Sequence, residues 1–260
     1  MNEQLMALRR MAGANTAVYP RRSSNFVEGV LGLLERIEYR RAEKGEDLED
    51  IYRLRYKAYR HSDLVPENGS LAVQDRFDDL PNCHRFGVYV DGALAGTIRM
   101  HVVTQAEPFS PAMSVYPDLL DPRLAAGERF VDPSRFAGDP ELSRIYPQLA
   151  YVTMRLPIMA CYHFDAPYCI SMIRRDHIAF YKRIFQSTAI GEARTYNGVI
   201  NTSALLYQID IPAVQEDVAE RYPFFLSDSR ERRMLFAKPA PGESAPLTIL
   251  PTPRYFKVAA

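Results

Sequence analysis

Residues 74–103 read QDRFDDLPNCHRFGVYVDGALAGTIRMHVV, and this stretch contains the clearest β-hairpin in the chain. An apolar run over Arg85–Val90 meets the dipeptide Asp91-Gly92, and a second alternating run follows over Ala95–Val103. Two such runs joined by Asp-Gly are the strongest short-range signal of a hairpin. Arg99 lies in the second run, and successive side chains of a strand point to opposite faces. The hairpin therefore predicts an arginine that is held on one face of a sheet.

Two aspartates just before the hairpin are the nearest partners for that arginine. Asp75 and Asp78 are three residues apart, and upstream the sequence predicts a helix over about Leu48–Arg60. Arg55 falls on the apolar stripe of this helix, and an isolated buried charge is very costly. Either Arg55 is paired, or only its aliphatic part is buried while its guanidinium reaches solvent. The acidic pair favours a cluster in which Arg55 and Arg99 bind the two aspartates.

Bulk properties favour one sizeable cytoplasmic domain with extensions. The chain has 260 residues, long enough for a substantial core. Its 32 basic and 32 acidic residues cancel, which gives no global electrostatic reason to expect nucleic acid as a partner. Three cysteines form no paired framework, which favours a reducing compartment, and no apolar run is long enough to span a bilayer. We expect a cytoplasmic protein with no integral membrane segment.

The order of predicted elements indicates an α/β (α+β) fold with a mixed sheet. A helix over Asn25–Arg36 could pack on the domain or on a second subunit, and Glu35–Arg41 could form the first strand. After the hairpin, Gln105–Arg123 is rich in proline and predicts an irregular loop. The later predictions are strands over 128–136, 168–173 and 204–211 and helices over 148–163 and 176–186. The resulting division is an N-terminal helical extension over 1–35, a central α/β domain over 36–212 and a wrapping tail over 213–260.

The strand over 128–136 carries an internal proline. It contains Val131-Asp132-Pro133-Ser134-Arg135-Phe136. Proline cannot donate to a sheet ladder, so this strand is expected to bulge or to splay from its neighbour.

Taken together, these motifs resemble the signature of acyl-homoserine-lactone autoinducer synthases. The matching positions are Arg55-x3-Tyr59, Asp75-x2-Asp78, Arg99 and Asp132-x-Ser134-Arg135-Phe136, where that family has Arg-x3-Phe, Asp-x2-Asp, Arg and Glu-x-Ser-Arg-Phe. Three features depart from that signature: the chain has no tryptophan, the family glutamate is replaced by Asp132, and the tail is longer. These departures make the chain more similar to the long-chain N-acyl amino acid synthases of the FeeM type.

That resemblance implies a GNAT-like acyltransferase fold, with a mixed central sheet, a splayed strand pair and flanking helices. It also implies transfer of a medium-to-long fatty acyl group to the amine of an amino acid. The donor would be the phosphopantetheine thioester of acyl carrier protein, with no permanently bound cofactor. The acetyl-CoA pyrophosphate loop of GNAT enzymes is only half present in Arg135-Phe-Ala-Gly138-Asp-Pro140, which argues modestly against ordinary acetyl-CoA use.

N-acylation by a thioester needs a base for the amine, donors for the oxyanion and an acid for the leaving thiolate. Asp132 is the candidate base, acting through water; the alternative is a carboxylate that caps nearby amides. Backbone N–H groups near Ser134 would serve the oxyanion. Tyr181, which lies where the late GNAT helix has a tyrosine, is the candidate acid; the alternative is a core tyrosine.

Further residues are candidates for substrate and carrier binding. Arginine suits a carboxylate because its fork is bidentate. The acceptor site is predicted to be formed by Arg55, Tyr59, Asp75, Asp78, Arg99, His101, Arg135 and Phe136. A purely structural ion-pair network is the alternative. His101, on the same face as Arg99, could be a second base or a histidine whose hydrogen bonds are satisfied within the fold. The acidic carrier protein would be steered by Arg174, Arg175, Lys182 and Arg183, unless these only form a solvated helix face.

Zinc chemistry and cysteine chemistry are both disfavoured. Cys161, His163, Cys169 and His177 lack the paired spacing of zinc sites, so no metal site is predicted. A cysteine nucleophile is conceivable, but both cysteines lie in apolar runs that favour core packing. Two other functions stay open: an autoinducer synthase that uses S-adenosylmethionine, and a non-catalytic module that binds acyl carrier protein.

Overall fold

The computed structural model describes residues 24–43, 45–196, 203–238 and 248–252. The strands are β1 (Ile37–Arg41), β2 (Cys83–Val90), β3 (Ala93–Val103), β4 (Phe130–Gly138), β5 (Tyr168–Ile173), β6 (Thr188–Ala189), β7 (Arg194–Thr195), β8 (Ser203–Asp210) and β9 (Thr248–Ile249). The helices are α1 (Asn25–Leu34), α2 (Glu46–His61), α3 (Pro111–Val115), α4 (Pro117–Ala125), α5 (Pro140–Ile145), α6 (Leu149–His163), α7 (Ile178–Phe185), α8 (Ile211–Arg221) and α9 (Ser229–Phe236). Short 3₁₀ turns occupy Arg175–His177 and Pro223–Phe225.

The strands form one mixed sheet in the order β6-β8-β5-β4-β3-β2-β1-β9, with β7 paired to β8. Neighbouring strands are antiparallel except for β4 and β5, which are parallel. The connection between these two parallel strands runs through α5 and α6, as parallel pairing requires. The predicted α/β fold with a mixed sheet is confirmed.

The predicted hairpin is β2 and β3, joined at Asp91-Gly92. Both turn residues have positive φ, 49° and 81°, as the tight hairpin turn favoured by Asp-Gly requires. On one face Ile98 and Met100 pack with α6 in the main core. On the other face Val103 packs with α3 and α4 in a second core. Alternation along β3 therefore sends its apolar side chains into two separate cores.

The prediction of an irregular segment over Gln105–Arg123 is wrong, because α3 and α4 lie there. Pro111 and Pro117 each occupy the first position of a helix, where the missing N–H costs nothing. The Ser110 hydroxyl accepts the N–H of Met113 and caps α3. Prolines that were interpreted as breakers are therefore helix starts.

The tail residues form helices that pack on α6. Arg155 of α6 and Glu231 of α9 are both fully buried and form a bidentate ion pair, which we call the tail pair. Arg155 also donates to the carbonyls of Phe224, at 2.8 Å, and Leu226, at 2.6 Å. At the other end of α9, Arg41 donates to the Met234, Leu235 and Ala237 carbonyls. Two buried arginines, Arg155 of α6 and Arg41 of β1, thus hold α9 against the sheet and α6.

The N-terminal helix also packs on the domain. Val27, Val30, Leu33 and Leu34 of α1 are buried in the main core. Phe26 lies edge-on to Tyr151 of α6, with ring centroids 4.8 Å apart. Most of the predicted extension, residues 1–23, lies outside the described residues, as do residues 239–247 and 253–260 of the tail.

Candidate active site

β4 diverges from β5 after two residue pairs. Phe130 pairs with Tyr168 and Val131 with Cys169, and from there β4 continues alongside β3 while β5 continues alongside β8. Further along β4, Ser134 faces Arg99 and Ala137 faces Thr97, which leaves two residues of β4 opposite one of β3. The extra residue is Arg135, whose φ is 52°. The expected bulge and splay are both present, and Asp132 is the first residue beyond the paired positions.

The aspartate–arginine cluster forms as predicted. The Arg55 Nη1 donates to Asp78 Oδ1 at 2.9 Å, and the Arg99 Nη1 lies 2.9 Å from Asp78 Oδ2. Arg55 and Arg99 are 0% exposed and Asp78 is 1% exposed. Arg55 therefore does not reach solvent, and the alternative of an exposed guanidinium is wrong.

Asp75 joins a third arginine to this group. Arg99 donates to its two carboxylate oxygens at 2.6 and 3.3 Å, and the Arg135 Nη2 and Nε donate to Oδ2 at 2.5 and 3.1 Å. The Asp75 N–H donates to Asp78 Oδ2 at 3.0 Å, which fixes the loop that carries both carboxylates. Arg55, Asp75, Asp78, Arg99 and Arg135 together are called the ionic cluster below.

The ionic cluster holds three cations and two anions. Burial would raise the pKa of the Asp75 carboxyl, but Arg99 and Arg135 outweigh it and hold this pKa well below its ordinary value. Burial lowers the pKa of Arg55, against the opposing charge of Asp78. Among the described residues, the Arg55 Nε and Nη2 have no hydrogen-bond partner. The cluster is thus a buried positive centre with unused donors.

Asp132 lies on the same face of the sheet as Arg99. It is 1% exposed, and its Oδ2 accepts the Ala112 N–H at 2.8 Å. Its Oδ1 is buried and has no hydrogen-bond partner among the described residues. Burial raises the pKa of Asp132 to about 6, against the Ala112 N–H, the nearby Ser110 hydroxyl and the charge of Arg99. One oxygen therefore caps an amide, while the other is available to accept a proton.

His101 pairs across the ladder with Asp132. Its Nε2 lies 2.8 Å from the Phe77 carbonyl oxygen, which can only accept, so Nε2 carries the hydrogen. Burial, and then the charge of Arg99, lower the pKa of His101 to about 4. The ring is therefore neutral at pH 7, and its buried Nδ1 has no partner within the described part of the chain.

Asn82 shapes the Asp132 environment, and the sequence motifs did not identify it. The residue is buried, and its Nδ2 donates to the carbonyls of Val102 at 3.0 Å, Glu107 at 3.4 Å and Phe109 at 2.9 Å. Phe109 immediately precedes the cap of α3, whose Ala112 N–H binds Asp132. The signal available in the sequence was an isolated asparagine at a strand start, which is typical of many turns.

The other residues of the Asp132-x-Ser-Arg-Phe motif contact different parts of the molecule, and so does Tyr59. The Ser134 hydroxyl accepts from Arg99 Nε at 3.0 Å, so its side chain supports the ionic cluster. Phe136 packs against the main core. Tyr59 lies beneath the Arg135 guanidinium, 5.7 Å from Cζ to the ring centroid. The predicted oxyanion and acceptor roles of these residues remain predictions.

Tyr181 lies on the other face of the sheet from Asp132. It packs against the main core, and its hydroxyl is 3.8 Å from Met154 Sδ of α6. Burial, reinforced by Cys169, raises the pKa of Tyr181 well above its ordinary value. The phenol is therefore protonated at pH 7, and it lies near Cys169, where β5 diverges from β4. This position is consistent with a general acid and equally with a tyrosine of the core.

Tyr196 is a second residue that the motifs missed. Burial raises its pKa, and its charged neighbours are Arg135, Asp75, Arg99 and Asp132. Because Tyr196 directly follows β7, only the pairing of β7 with β8 brings it near the site. No local pattern in the sequence could have indicated this proximity.

The predicted carrier-binding residues surround the start and the exposed face of α7. Arg174 donates to Asp176 at 2.7 and 3.2 Å, and Arg183 donates to the Tyr151 hydroxyl at 3.3 Å. Arg175 and Lys182 are exposed. The charge of Arg174 is therefore offset by a neighbouring carboxylate, whereas Arg183 donates to a neutral hydroxyl and keeps its charge.

The cysteine and histidine residues form no metal cluster in the described part of the chain. Cys161 and Cys169 are buried, and burial raises the pKa of the Cys161 thiol, which lies next to Cys169. His177 is exposed on the surface.

Over the same described residues, none of the helices has the length and apolarity that a membrane crossing needs.

The splayed sheet and the buried carboxyl beside it are the arrangement expected of a GNAT-like N-acyltransferase. The model of the family described as N-acyl amino acid synthase FeeM matches residues 50–210, more than half of the chain. The chain therefore belongs to the FeeM family of N-acyl amino acid synthases, as its motifs predicted. No curated protein sequence matches the chain.

Solved structures show the same fold at low sequence identity. FeeM, an N-acyl amino acid synthase from uncultured soil microbes, is 20% identical, with a TM-score of 0.59 over 72% of this chain and 97% of that chain. BjaI, a CoA-dependent acyl-homoserine lactone synthase, is 18% identical, with a TM-score of 0.51 over 68% and 82%. The acyl-homoserine lactone synthase LasI is 15% identical, with a TM-score of 0.50 over 68% and 92%. The predicted GNAT-like acyltransferase fold is confirmed.

Proposed function

We propose that this acyltransferase moves a medium-to-long fatty acyl group from the thioester of acyl carrier protein to the amine of an amino acid. Membership of the N-acyl amino acid synthase family supports the class of product. The carrier protein, the chain length and the acceptor are parts of the proposal. No resident cofactor is needed, because the thioester already activates the acyl group.

One observation carries the proposal: in the β3–β4 register, Asp132 and the ionic cluster lie side by side. Arg99 faces Ser134 and His101 faces Asp132, so a substrate at the splay meets the cluster and the carboxylate on one face. Asp132 has one oxygen without a partner among the described residues, and burial raises its pKa to about 6. A base with a pKa near the working pH is suited to proton abstraction.

The charge of the ionic cluster supports an acceptor that bears a carboxylate. Three arginines face two aspartates, and Arg55 retains donors without a partner among the described residues. An amino acid supplies a carboxylate for this surplus charge and an amine for Asp132. Arginine binds carboxylates bidentately, which would fix the amine relative to the thioester.

The proposed reaction starts when Asp132 accepts one proton from the acceptor ammonium. The free amine attacks the thioester carbonyl, the new C–N bond forms and the C–S bond breaks. Tyr181 is the proposed relay for the second proton: its hydroxyl protonates the leaving thiolate, and the proton lost by the nitrogen restores the hydroxyl. Asp132 then returns its proton to solvent.

Mass spectrometry tests the proposal directly. Purified protein is incubated with palmitoyl-carrier protein and the twenty amino acids, with and without S-adenosylmethionine, and in parallel with palmitoyl-CoA. N-acyl amino acid from the carrier thioester is the expected product. An acyl-homoserine lactone that forms only with S-adenosylmethionine would identify an autoinducer synthase instead. Absence of turnover with every donor would overturn the proposal.

The Asp132→Asn variant tests the base. The amide oxygen still accepts the Ala112 N–H, so the fold is retained, but the proton acceptor is lost. Turnover should fall about 10²–10⁴-fold, the usual contribution of a general base. The matched control is Asp118→Asn, an exposed carboxylate paired with Arg194, which should retain turnover. Unchanged turnover in Asp132→Asn would exclude Asp132 as the base.

A further inference from the structure

Two buried atoms on a cross-strand residue pair of the site cannot satisfy each other while Asp132 is ionised. His101 and Asp132 are cross-strand partners on one face, and such pairs have Cβ atoms about 4.5–5.5 Å apart. His101 Nδ1 and Asp132 Oδ1 are both buried, and neither has a hydrogen-bond partner among the described residues. Since the hydrogen of His101 is on Nε2, its Nδ1 is an acceptor, and so is every oxygen of an ionised Asp132.

The remaining contacts of the two side chains fix them in place. The His101 ring is held by the Phe77 carbonyl at 2.8 Å and meets the Phe77 ring edge-on at 6.2 Å. Asp132 is held by the Ala112 N–H at 2.8 Å. Buried polar atoms are nearly always hydrogen-bonded, because an unmade bond costs about 1–3 kcal/mol. Two rigid acceptors that have no donor among the described residues therefore indicate a ligand that brings at least two N–H or O–H groups.

We propose that His101 Nδ1 and Asp132 Oδ1 together bind the reacting amine of the acceptor, each accepting one of its N–H groups. This inference rests on the proposed function, because the amine is the nucleophile of that reaction. The pair selects a primary amine, whose ammonium form has three N–H groups. Two of these N–H groups donate to the pair, and the third is available for another contact.

The same pair can hold the proton that the amine gives up. When Asp132 accepts that proton, its hydroxyl becomes a donor, and His101 Nδ1 becomes its acceptor. The two atoms that needed a ligand in the ionised state then satisfy each other. His101 remains neutral throughout, so it positions the amine and receives the Asp132 hydrogen bond without itself taking up the proton.

Two substitutions at His101 separate this role from a structural one. A glutamine amide reaches the position of Nε2, so His101→Gln keeps the contact with the Phe77 carbonyl and loses Nδ1. An asparagine amide reaches the position of Nδ1, so His101→Asn keeps an acceptor there and loses the contact with Phe77. Thermal unfolding of both variants measures the structural contribution independently.

The preferred amino acid is the one that gives most product with the unaltered protein. Its KM is then measured for the unaltered protein and for both variants. His101→Gln should raise this KM about tenfold or more, while His101→Asn should stay within about threefold, even if it is the less stable variant. The KM for palmitoyl-carrier protein should not change in either variant. The reverse order, with His101→Gln near the unaltered protein and His101→Asn impaired, would show a structural histidine and overturn the inference.

A measurement on the unaltered protein covers the case in which the variants do not fold. The preferred amino acid is compared with its N,N-dimethyl derivative, which keeps the carboxylate but has one N–H as its ammonium and none as a free amine. Calorimetry without an acyl donor measures both dissociation constants, so that neither ligand reacts. The dissociation constant of the derivative should exceed that of the amino acid by about tenfold or more, and equal constants would overturn the inference. If the unaltered protein makes no N-acyl product at all, the proposed function fails instead.

Discussion

The molecule buries two ionic groups on opposite faces of the sheet, and they differ in how completely they are satisfied. The tail pair joins one cation to one anion, and every guanidinium nitrogen of Arg155 has a partner. Glu231 also accepts from the Thr252 hydroxyl at 2.5 Å. The ionic cluster instead has three cations for two anions, and two nitrogens of Arg55 have no partner in the described residues.

This difference separates a structural connection from a site. A closed pair with matched charge gains nothing from a further ligand, so it can only hold α9 and the 3₁₀ turn against α6. A cluster with surplus positive charge, beside two acceptors that have no donor in the described part of the chain, can be completed by a molecule that carries both a carboxylate and an amine. The same residue types at similar burial therefore support different roles, and the count of unsatisfied atoms distinguishes them.

Glu231→Gln should give the largest loss of stability, because it leaves Arg155 charged, buried and unpaired. We expect the free energy of unfolding to fall by about 3–5 kcal/mol. Urea unfolding measures this change, with Glu216→Gln on the exposed face of α8 as the control. Acyl transfer per folded molecule should not change, since the tail pair does not contact the site. A loss of activity in the folded variant would place the tail pair in the catalytic machinery.

Asp78→Asn should cost somewhat less stability but also reduce activity. Arg55 loses its anionic partner, whereas Arg99 keeps Asp75, which is 21% exposed and hydrated. We expect a loss of about 3 kcal/mol. Acyl transfer per folded molecule should fall at least tenfold, because misplacement of binding groups by an ångström costs about 10²-fold. Asp79→Asn is the exposed control, and full activity in folded Asp78→Asn would make the cluster purely structural.

Asp132→Asn should have the smallest effect on stability, and with the opposite sign. The pKa of Asp132 is about 6 in the folded chain, above its ordinary value of 3.8, so the folded state binds more protons between these values. Its contribution to stability is therefore present below about pH 4 and is lost as the pH rises through about 6. Removing the ionisable group should therefore make the variant more stable than the unaltered protein at pH 7.5.

Urea unfolding of the unaltered protein and of Asp132→Asn at pH 4.5 and pH 7.5 checks the sign. The other titrating groups are common to both proteins and cancel in the difference. If the two proteins lose or gain stability equally between these pH values, the Asp132 carboxyl is ionised in the folded state already at pH 4.5. The predicted opposite effects of Asp132→Asn and Glu231→Gln on stability would then be wrong.

The local patterns predicted much of this structure correctly. The Asp-Gly hairpin, the helix of Arg55 and the proline-disturbed strand of Asp132 were all recognisable, since each depends on neighbours within a few residues. Pro111 and Pro117 led to the wrong prediction of an irregular segment. Proline disrupts the interior of a helix but is favoured at its first position. Only the Ser110 cap distinguishes the two cases, and a lone serine is a weak signal.

The sequence alone determined that Arg55 and Arg99 needed acidic partners and that Asp75 and Asp78 were the nearest ones, because burial of a charge imposes a partner. The register of β3 on β4 was decided by the tertiary structure, and with it the meeting of His101 with Asp132. The approach of Tyr196 and the closure of the tail pair were decided in the same way. These contacts join residues far apart in the chain, and their geometry follows from how the whole sheet pairs and packs, which no local pattern encodes.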